Sequence, residues 1–305
     1  MRKNYKCVVL MSAYNGECYI EKQIDSILFQ KGIELKLMIR DDGSKDRTPQ
    51  ILKRYEKRYP DIIQVFYGEN VGIHKSFAAL MQNTVSSEYI AFADQDDVWD
   101  EDKLYIGISK LNKFSADFYS SASRLVDKEL NYYGKTTSSP KLHRHYMMTK
   151  SSLLTPGTQG CTIVITKKLF QSLLEKGIPD YYGHDTWIPV AAYYTCNCLY
   201  DKKPHMSYRQ HDNSWTGNRT NRVCQLKREF LFFIAGMDRY AKLAKDILER
   251  YSAELSWEDK KVLVIMSDRN RTIKNKFILC FDHEFRKYGK LQNLFFKAFI
   301  LFGKA

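Results

Sequence analysis

Three carboxylates fall within four positions at residues 94–97, which read Asp-Gln-Asp-Asp. They follow the apolar run 89–92, a pattern typical of a buried parallel strand. Carboxylates at the carboxyl end of such a strand lie where open α/β sheets bind their ligands. Adjacent like charges raise one another's pKa unless a cation neutralises them, and hard divalent ions such as Mg²⁺ and Mn²⁺ prefer oxygen ligands. The segment therefore predicts a site for a metal ion and a diphosphate.

A simpler interpretation of the same residues is a solvated turn between a strand and a helix. In that case Asp97 or Asp100 would cap a helix that starts near Glu101. The segment alone supports both interpretations, so the surrounding elements have to distinguish them.

Strand-like and helix-like segments alternate four times up to this point. The predicted strands are 7–11, 35–39, 65–67 and 89–92. The predicted helices run through Ile20 to Leu28, start near Asp46 or Thr48, and run through Phe77 to Met81. This alternation predicts an α/β fold with a parallel, doubly wound sheet, in which the ends of the first, second and fourth strands direct polar residues into one crevice.

Four ordered motifs stand at those strand ends, at residues 12–16, 40–46, 69–72 and 94–99. In order and spacing they resemble the inverting family 2 glycosyltransferases of the GT-A fold, and Asp-Gln-Asp-Asp-Val-Trp is most similar to bacterial rhamnosyltransferases of cell-wall or capsular polysaccharide synthesis. The resemblance implies a mostly parallel, Rossmann-like nucleotide-sugar-binding sheet flanked by helices, with a helical appendage at the C-terminus. It also implies a metal-dependent inverting transfer of a sugar, with dTDP-rhamnose as the expected donor and another dTDP- or UDP-sugar as the alternative.

The resemblance also assigns roles to individual residues. Nucleotide-sugar binding falls to Ser12, Ala13, Tyr14, Asn15, Asp42, Gly72 and Asp94. Tyr14 would lie against the pyrimidine, and Asp42 would accept the N3–H that uracil and thymine share, since a carboxylate is a pure acceptor. Asp94 would bind the ribose hydroxyls, and Asp96 would hold Mn²⁺ or Mg²⁺ between the phosphates.

Two of these neighbourhoods have a purely structural alternative. Tyr14 would serve equally as a core aromatic residue. Asp41, beside Asp42, would only brace its loop through Ser44 and Thr48.

The second half of the chain supplies a candidate general base. A polar, basic connection over 128–156 is followed by a predicted strand at 158–165, whose Gly160 permits close backbone approach. A helix over 167–176 comes next, and Asp185 then starts another. Asp185 would act as an N-cap or, by resemblance to the family, as the base that takes the acceptor's hydroxyl proton, and the two roles are compatible.

Residues 208–214 are similar to the segment that ends the catalytic domain in the rhamnosyltransferase-like group. His211 is the candidate second metal ligand, and Arg209 the candidate donor to the diphosphate. Asp212 stands where a glycine is usual, and a lone histidine is more often a structural hydrogen-bonding residue. The metal role of His211 therefore has a structural alternative.

Length and composition set the domain organisation. With 305 residues and 44% hydrophobic content, the chain suits one sizeable α/β domain plus an appendage. We expect a catalytic domain at 1–215, with a nucleotide-sugar-binding half at 1–100 and an acceptor half at 101–215, and a helical region at 216–305. The seven cysteines lack zinc-site or redox spacing, and Met1-Arg2-Lys3 leads directly into a predicted strand without a signal peptide. Both features favour the cytoplasm.

The net charge of +13 is concentrated in the tail, where 19 Lys and Arg face 10 Asp and Glu from Arg219 onward. Helices are predicted at 226–237, after the capping box Ser256-x-x-Asp259, and at 291–302. The last is apolar, flanked by lysines and too short to span a bilayer. It predicts an interfacial helix on an anionic membrane, at the inner face of the cell membrane where a lipid-linked saccharide acceptor would be met. The alternative is packing on the protein's own core or in a homo-oligomer. No nucleic-acid-binding motif occurs in the sequence.

Overall fold

A computed structural model describes residues 4–84, 87–137, 158–211, 240–268 and 271–281, together with 293–294, 297–298 and 300–301. The elements of the first half are β1 (Tyr5–Ala13), α1 (Ile20–Leu28), β2 (Ile33–Asp41), α2 (Thr48–Arg58), β3 (Ile63–Tyr67), α3 (Ile73–Gln82), β4 (Tyr89–Ala93), β5 (Val98–Trp99), α4 (Lys103–Lys113), β6 (Phe118–Ser121), β7 (Arg124–Val126) and β8 (Tyr132–Thr136). They are followed by a 3₁₀ turn (Gly160–Thr162), β9 (Val164–Thr166), α5 (Lys167–Lys176), α6 (His184–Thr195), β10 (Cys198–Asp201), β11 (Met206–Arg209) and the helices Trp257–Ser267 and Ile273–Phe281.

The main sheet has seven strands in the order β10-β6-β9-β4-β1-β2-β3. β1 pairs in parallel with both β2 and β4, while β9 is antiparallel to its two neighbours. In this register Ala13 lies beside Asp41, and Met11 lies beside Ala93. The predicted mostly parallel α/β sheet is confirmed, and it brings the ends of β1, β2 and β4 to one edge.

The apolar strands bury both faces of this sheet. Val8 and Leu10 of β1 pack with α3, α5 and α6, whereas Cys7, Val9 and Met11 pack with α1, α2 and α4. Each fully buried aliphatic side chain contributes about 1.5–3 kcal/mol to folding. The strand ends that carry the polar motifs are therefore held on a rigid two-sided core.

A second sheet of four short strands, in the order β5-β11-β7-β8, lies beyond the acidic segment. β5 begins directly after Asp97, and β11 pairs with it in antiparallel fashion. This pairing brings the segment that ends at Arg209 against the acidic turn.

Several predicted boundaries need correction. α4 begins at Lys103 rather than near Glu101, and neither Asp97 nor Asp100 caps it, because Asp100 instead pairs with Arg124. The predicted strand at 158–165 starts only at Val164, because the preceding residues form the 3₁₀ turn. Most of the polar connection, from residue 138 to 157, lies outside the described residues.

The C-terminal helices pack on the α5–α6 face of the core. Residues 240–251 are helical, and the capping box is confirmed, since Ser256 Oγ accepts a hydrogen bond from Asp259 N at 3.0 Å. Side chains of this region that join the core cluster are Leu243, Tyr251, Leu263, Leu279 and Ile300. The predicted helix at 226–237 and most of the one at 291–302 fall outside the described residues. None of the described helices is long and apolar enough to cross a membrane.

Candidate active site

The turn after β4 is a cluster of carboxylates at the sheet edge. Burial and the neighbouring charge of Asp96 raise the pKa of Asp94 to about 7, and Asp185 acts in the same direction. Asp97 is fully buried, and burial together with Asp96 and Asp94 raises its pKa well above the usual range. Such repulsion is relieved when a cation binds between the carboxylates.

The two residues predicted as metal ligands lie side by side. Nε2 of His211 is 2.8 Å from Oδ2 of Asp96. The His211 ring also contacts the ring of Tyr19, with 4.8 Å between the ring centroids. Sequence reasoning did not single out Tyr19, which precedes α1 and whose spacing gives no signal of this contact.

Arg209 has a different environment from the one expected. Its side chain is only 1% exposed, and Nε donates to the carbonyl oxygen of Asp96 at 2.7 Å. A second nitrogen of the guanidinium donates to the carbonyl of Lys128, and its backbone N–H donates to Asp97 Oδ1 at 3.2 Å. This geometry favours bracing of the acidic turn over the diphosphate contact predicted from the sequence.

The donor atoms at this edge fit a divalent cation. Asp96 and His211 supply an oxygen and a nitrogen ligand at the mouth of the crevice. Behind them, carboxylate oxygens of Asp94 and Asp97 and the thiol sulfur of Cys161 lie within 4.8 Å of one another. Oxygen-rich sets of this kind suit Mg²⁺ or Mn²⁺, whose charge would offset the carboxylates.

A buried lysine lies beneath the acidic turn and was missed by the sequence analysis. Lys103 is 1% exposed, and its Nζ lies 3.4 Å from the centroid of the Trp99 ring. Burial lowers its pKa to about 8, while Cys161 and Asp97 act in the opposite direction. The available signal was its position on the apolar face of α4, four residues before Gly107.

The end of β1 forms the wall expected to hold the nucleotide. Tyr14 is 44% exposed, which excludes the core-aromatic interpretation. Its backbone exchanges two hydrogen bonds with the side-chain amide of Gln95, at 2.8 and 2.9 Å. Asn15 adopts a positive φ of 48°, and its N–H donates to Ser44 Oγ at 2.9 Å. The Tyr14 ring is therefore presented to solvent by a tightly bonded loop.

Two further residues of the predicted binding set lie next to this loop. Ser12 Oγ is 2.6 Å from Ser76 Oγ on α3. The carbonyl of Ala13 accepts a hydrogen bond from Asp42 N at 2.8 Å. The structure thus joins the ends of β1 and β2.

Asp42 is buried and organises the loop that follows β3. Its carboxylate accepts hydrogen bonds from Val71 N at 3.0 Å and Gly72 N at 2.9 Å, and it pairs with Arg40. Gly72 has a φ of +84°, which a residue with a side chain rarely adopts. Recognition of a pyrimidine N3–H by Asp42 stays a prediction.

Asp41 fulfils the structural alternative in part. Its carboxylate accepts from Ser44 Oγ at 2.5 Å and from Ser44 N at 3.3 Å. Thr48, however, donates its N–H to Asp46, and its hydroxyl accepts from Gly16 N. Asp41 therefore braces the loop through Ser44 alone.

Asp185 lies in the first turn of α6, exposed to the crevice. The residue that caps this helix is Gly183, so the N-cap alternative for Asp185 is wrong. The charge of Asp185 contributes to the raised pKa of Asp94, which puts the two carboxylates across the crevice from each other. A carboxylate opposite an acidic, metal-binding edge can take a proton from a hydroxyl bound between them.

His184 anchors this turn in the core. Its ring lies against Phe77 and Phe92, with centroid distances of 3.8 and 5.1 Å, and burial lowers its pKa to about 4. A Cβ on Gly160 would stand 2.1 Å from His184 Nε2. Gly160 therefore permits the close approach predicted for it, although its neighbour is a side chain rather than backbone.

Comparison with known proteins gives concordant results. Residues 8–174 match the profile of Glycosyl transferase family 2. Over 232 residues the chain is 32% identical to the dTDP-rhamnosyl transferase RfbG of Shigella flexneri, covering 72% of this chain and 77% of that protein. It is 27% identical over 221 residues to the putative teichuronic acid biosynthesis glycosyltransferase TuaG of Bacillus subtilis, covering 69% and 81%.

Solved structures share the fold. TarS of S. aureus, residues 1–349, superposes with a TM-score of 0.59 at 17% identity, over 86% of this chain and 70% of that one. The mannosyltransferase PcManGT from Pyrobaculum calidifontis, in complex with GDP-Man and Mn²⁺, gives a TM-score of 0.53 at 15% identity, over 98% and 85%.

Proposed function

We propose, since this chain belongs to glycosyl transferase family 2 and is a glycosyltransferase, that it transfers rhamnose from dTDP-rhamnose to a saccharide acceptor with inversion at the anomeric carbon. The observation that carries the mechanism is that Asp185 faces the acidic turn, because its charge contributes to the raised pKa of Asp94. A base on one side and a diphosphate site on the other match a single in-line displacement. The donor assignment rests on the rhamnosyltransferase relative, which is 32% identical.

In this mechanism the donor's nucleotide lies against the exposed ring of Tyr14, with Asp94 near the ribose. The acceptor hydroxyl attacks the anomeric carbon from the side of Asp185, whose carboxylate removes the hydroxyl proton. Because Asp185 alone takes the proton, the arrangement needs no second protein carboxyl at the leaving group, unlike that of glycoside hydrolases. Configuration therefore inverts in one step.

Asp96 and His211 are the residues proposed to hold Mn²⁺ or Mg²⁺. When bound, the ion supplies Lewis-acid stabilisation of the departing diphosphate. The protein's own contribution is to keep the two ligands fixed, through the 2.8 Å contact between them and the Tyr19 ring beside His211. Arg209 holds the backbone of Asp96 from below.

A panel of nucleotide-sugars tests the donor assignment. dTDP-rhamnose, UDP-N-acetylglucosamine and GDP-mannose are compared with Mn²⁺ or Mg²⁺ by thermal shift and by release of the nucleoside diphosphate. The expected result is that dTDP-rhamnose gives the largest stabilisation and the fastest release. Preference for either of the other two donors would replace rhamnose in the proposal while leaving the fold and the base in place.

We further propose a lipid-linked acceptor, met at an anionic membrane surface. The helix Ile273–Phe281 exposes Ile273, Phe277 and Phe281 at helical spacing, and Lys274 lies beside them. Apolar side chains flanked by lysines suit the interface of an anionic bilayer, where each nearby lysine contributes on the order of 1 kcal/mol.

Co-sedimentation with phosphatidylglycerol vesicles tests the membrane proposal. Binding is expected at low salt and is expected to weaken as salt rises, since the lysine contribution is screened. Replacement of Phe277 and Phe281 by serine should release the protein, whereas serine at the exposed Phe29 of the catalytic domain should not. Absence of binding at low salt, with a dimer in light scattering, would favour the oligomer alternative.

A further inference from the structure

The first turns of α3 and α6 meet beside Asp185. α3 begins at Ile73 after Gly72, and α6 begins at His184 after Gly183. His74 on α3 and Asp185 on α6 are both exposed at this junction. His74 has no part in the proposed metal or nucleotide site.

Gly183 reports how close these two side chains come. The point where a Cβ on Gly183 would stand is 2.3 Å from Asp185 Oδ1 and 3.2 Å from His74 Nε2. Both atoms therefore border one small volume that a glycine leaves open. The φ of Gly183 is −65°, so its glycine is needed for this space and not for an unusual backbone angle.

The charged and titratable groups around this junction are largely engaged. Lys75 lies 3.9 Å from Asp180. His184 is buried against two phenylalanine rings and stays neutral near pH 7, because burial lowers its pKa to about 4. Asp94, across the crevice, carries the same charge as Asp185 and repels it. Of the described basic groups on these two turns, His74 is the one placed to pair with the Asp185 carboxylate.

We propose that His74 is a positioning residue for Asp185: its Nε2 binds one carboxylate oxygen and thereby directs the other toward the acceptor hydroxyl. The inference rests on the proposed role of Asp185 as general base. Bases in active sites are commonly oriented by a third group, and such contacts tighten only when substrate binds. Pairing with His74 also offsets the repulsion between Asp185 and Asp94.

The test compares His74→Ala with His74→Gln, because glutamine keeps an N–H donor near the position of Nε2. His74→Ala should lower kcat by up to roughly 100-fold, the scale expected when a reacting group is misplaced by about 1 Å. The donor KM and the affinity for dTDP should stay the same, and His74→Gln should recover most of the turnover. Lys75→Gln, on the same turn, is the matched control and should retain wild-type kcat.

Gly183→Ala is an independent route to the same effect. Its methyl group would displace the Asp185 carboxylate from the shared volume, so kcat should fall while the melting temperature stays close to that of the wild type. A loss of donor affinity in either His74→Ala or Gly183→Ala would mean that the junction contacts the donor, and would overturn the inference.

A double-mutant cycle separates this inference from the proposed function. If Asp185→Asn abolishes transfer and His74→Ala has no further effect in that background, the pair acts as one unit. If Asp185→Asn is inactive but His74→Ala alone retains wild-type kcat, the positioning role is wrong and the base assignment stands. If Asp185→Asn retains transfer, the base assignment fails and the role of His74 fails with it. A shift of the His74 ring resonance on Asp185→Asn substitution, seen by NMR at fixed pH, reports the pairing without reference to activity.

Discussion

Nε2 of His211 lies 2.8 Å from Oδ2 of Asp96, across a separation of 115 residues. The contact joins the last strand of the small sheet to the turn after β4. It places an imidazole and a carboxylate at the same point of the crevice, where a divalent ion would find two ligands already in position.

Asp96→Asn should abolish Mn²⁺-dependent binding of a nucleoside diphosphate, because the amide keeps the shape of the side chain but removes the charge that opposes the cation. Calorimetry with dTDP and UDP, with and without Mn²⁺, measures the effect. Asp61→Asn, at an exposed position after α2, is the control. Unchanged Mn²⁺-dependent affinity in Asp96→Asn would show that the metal assignment is wrong.

Asp185→Asn should lower turnover by roughly two to four orders of magnitude, the usual contribution of a positioned base. Nucleotide affinity should stay nearly the same, since Asp185 faces the acceptor side. Steady-state transfer and dTDP binding are measured together, with Glu175→Gln on the exposed face of α5 as control. A folded Asp185→Asn variant with near-normal transfer would exclude the mechanism.

Gly160→Ala should destabilise the fold by about 1–3 kcal/mol, the usual cost of overpacking a core. The added methyl would stand 2.1 Å from His184 Nε2, and the ring cannot move away because Phe77 and Phe92 pack on it. Chemical denaturation gives the free energy of unfolding. In a His184→Ala background most of this penalty should disappear, and an equal penalty in both backgrounds would refute the proposed steric cause.

Stability should fall as the pH drops from about 6.5 to 4, in part because of His184. Burial lowers its pKa from 6.5 to about 4, so in this range the unfolded chain binds a proton that the folded protein does not. At about 1.4 kcal/mol per pH unit, the loss attributable to His184 reaches about 3 kcal/mol at pH 4.

The comparison that isolates this effect is between the wild type and His184→Gln. Asp94, whose pKa is raised to about 7, gives a slope of the opposite sign, but it is present in both proteins and cancels in their difference. Free energies of unfolding at pH 7 and pH 4.5 should therefore converge in the variant relative to the wild type. Equal pH slopes would mean that His184 titrates normally in the folded state.

The α/β elements could be predicted because local patterns encode them. The apolar runs of β1 and β4, the spacing of isoleucines in α1 and the glycine after α5 each depend on neighbours in the chain. The order of the four motifs at strand ends then identified a family 2 glycosyltransferase, which the family match confirms. The N-terminal end of α4 was misplaced by two residues, since three acidic side chains in a row all resemble a cap.

The roles of single side chains were harder to predict, as Arg209 and Lys103 show. A guanidinium in a late motif suggests a phosphate ligand, yet the pairing of β11 with β5 buries Arg209 against backbone carbonyls. Lys103 looks like a surface residue of a basic chain, but it lies on the buried face of α4 over Trp99. Which charges are buried depends on how elements pack, and no local pattern records that.

The sequence by itself determined the α/β alternation, the acidic turn, the capping box at Ser256 and the family, because each depends on residue types at short, fixed spacings. The tertiary structure alone decided that His211 reaches Asp96, that His74 and Asp185 border one volume above Gly183, and that His184 needs the space left by Gly160. These contacts join residues far apart in the chain. Their distances follow from the register of the two sheets and the packing of helices on the core.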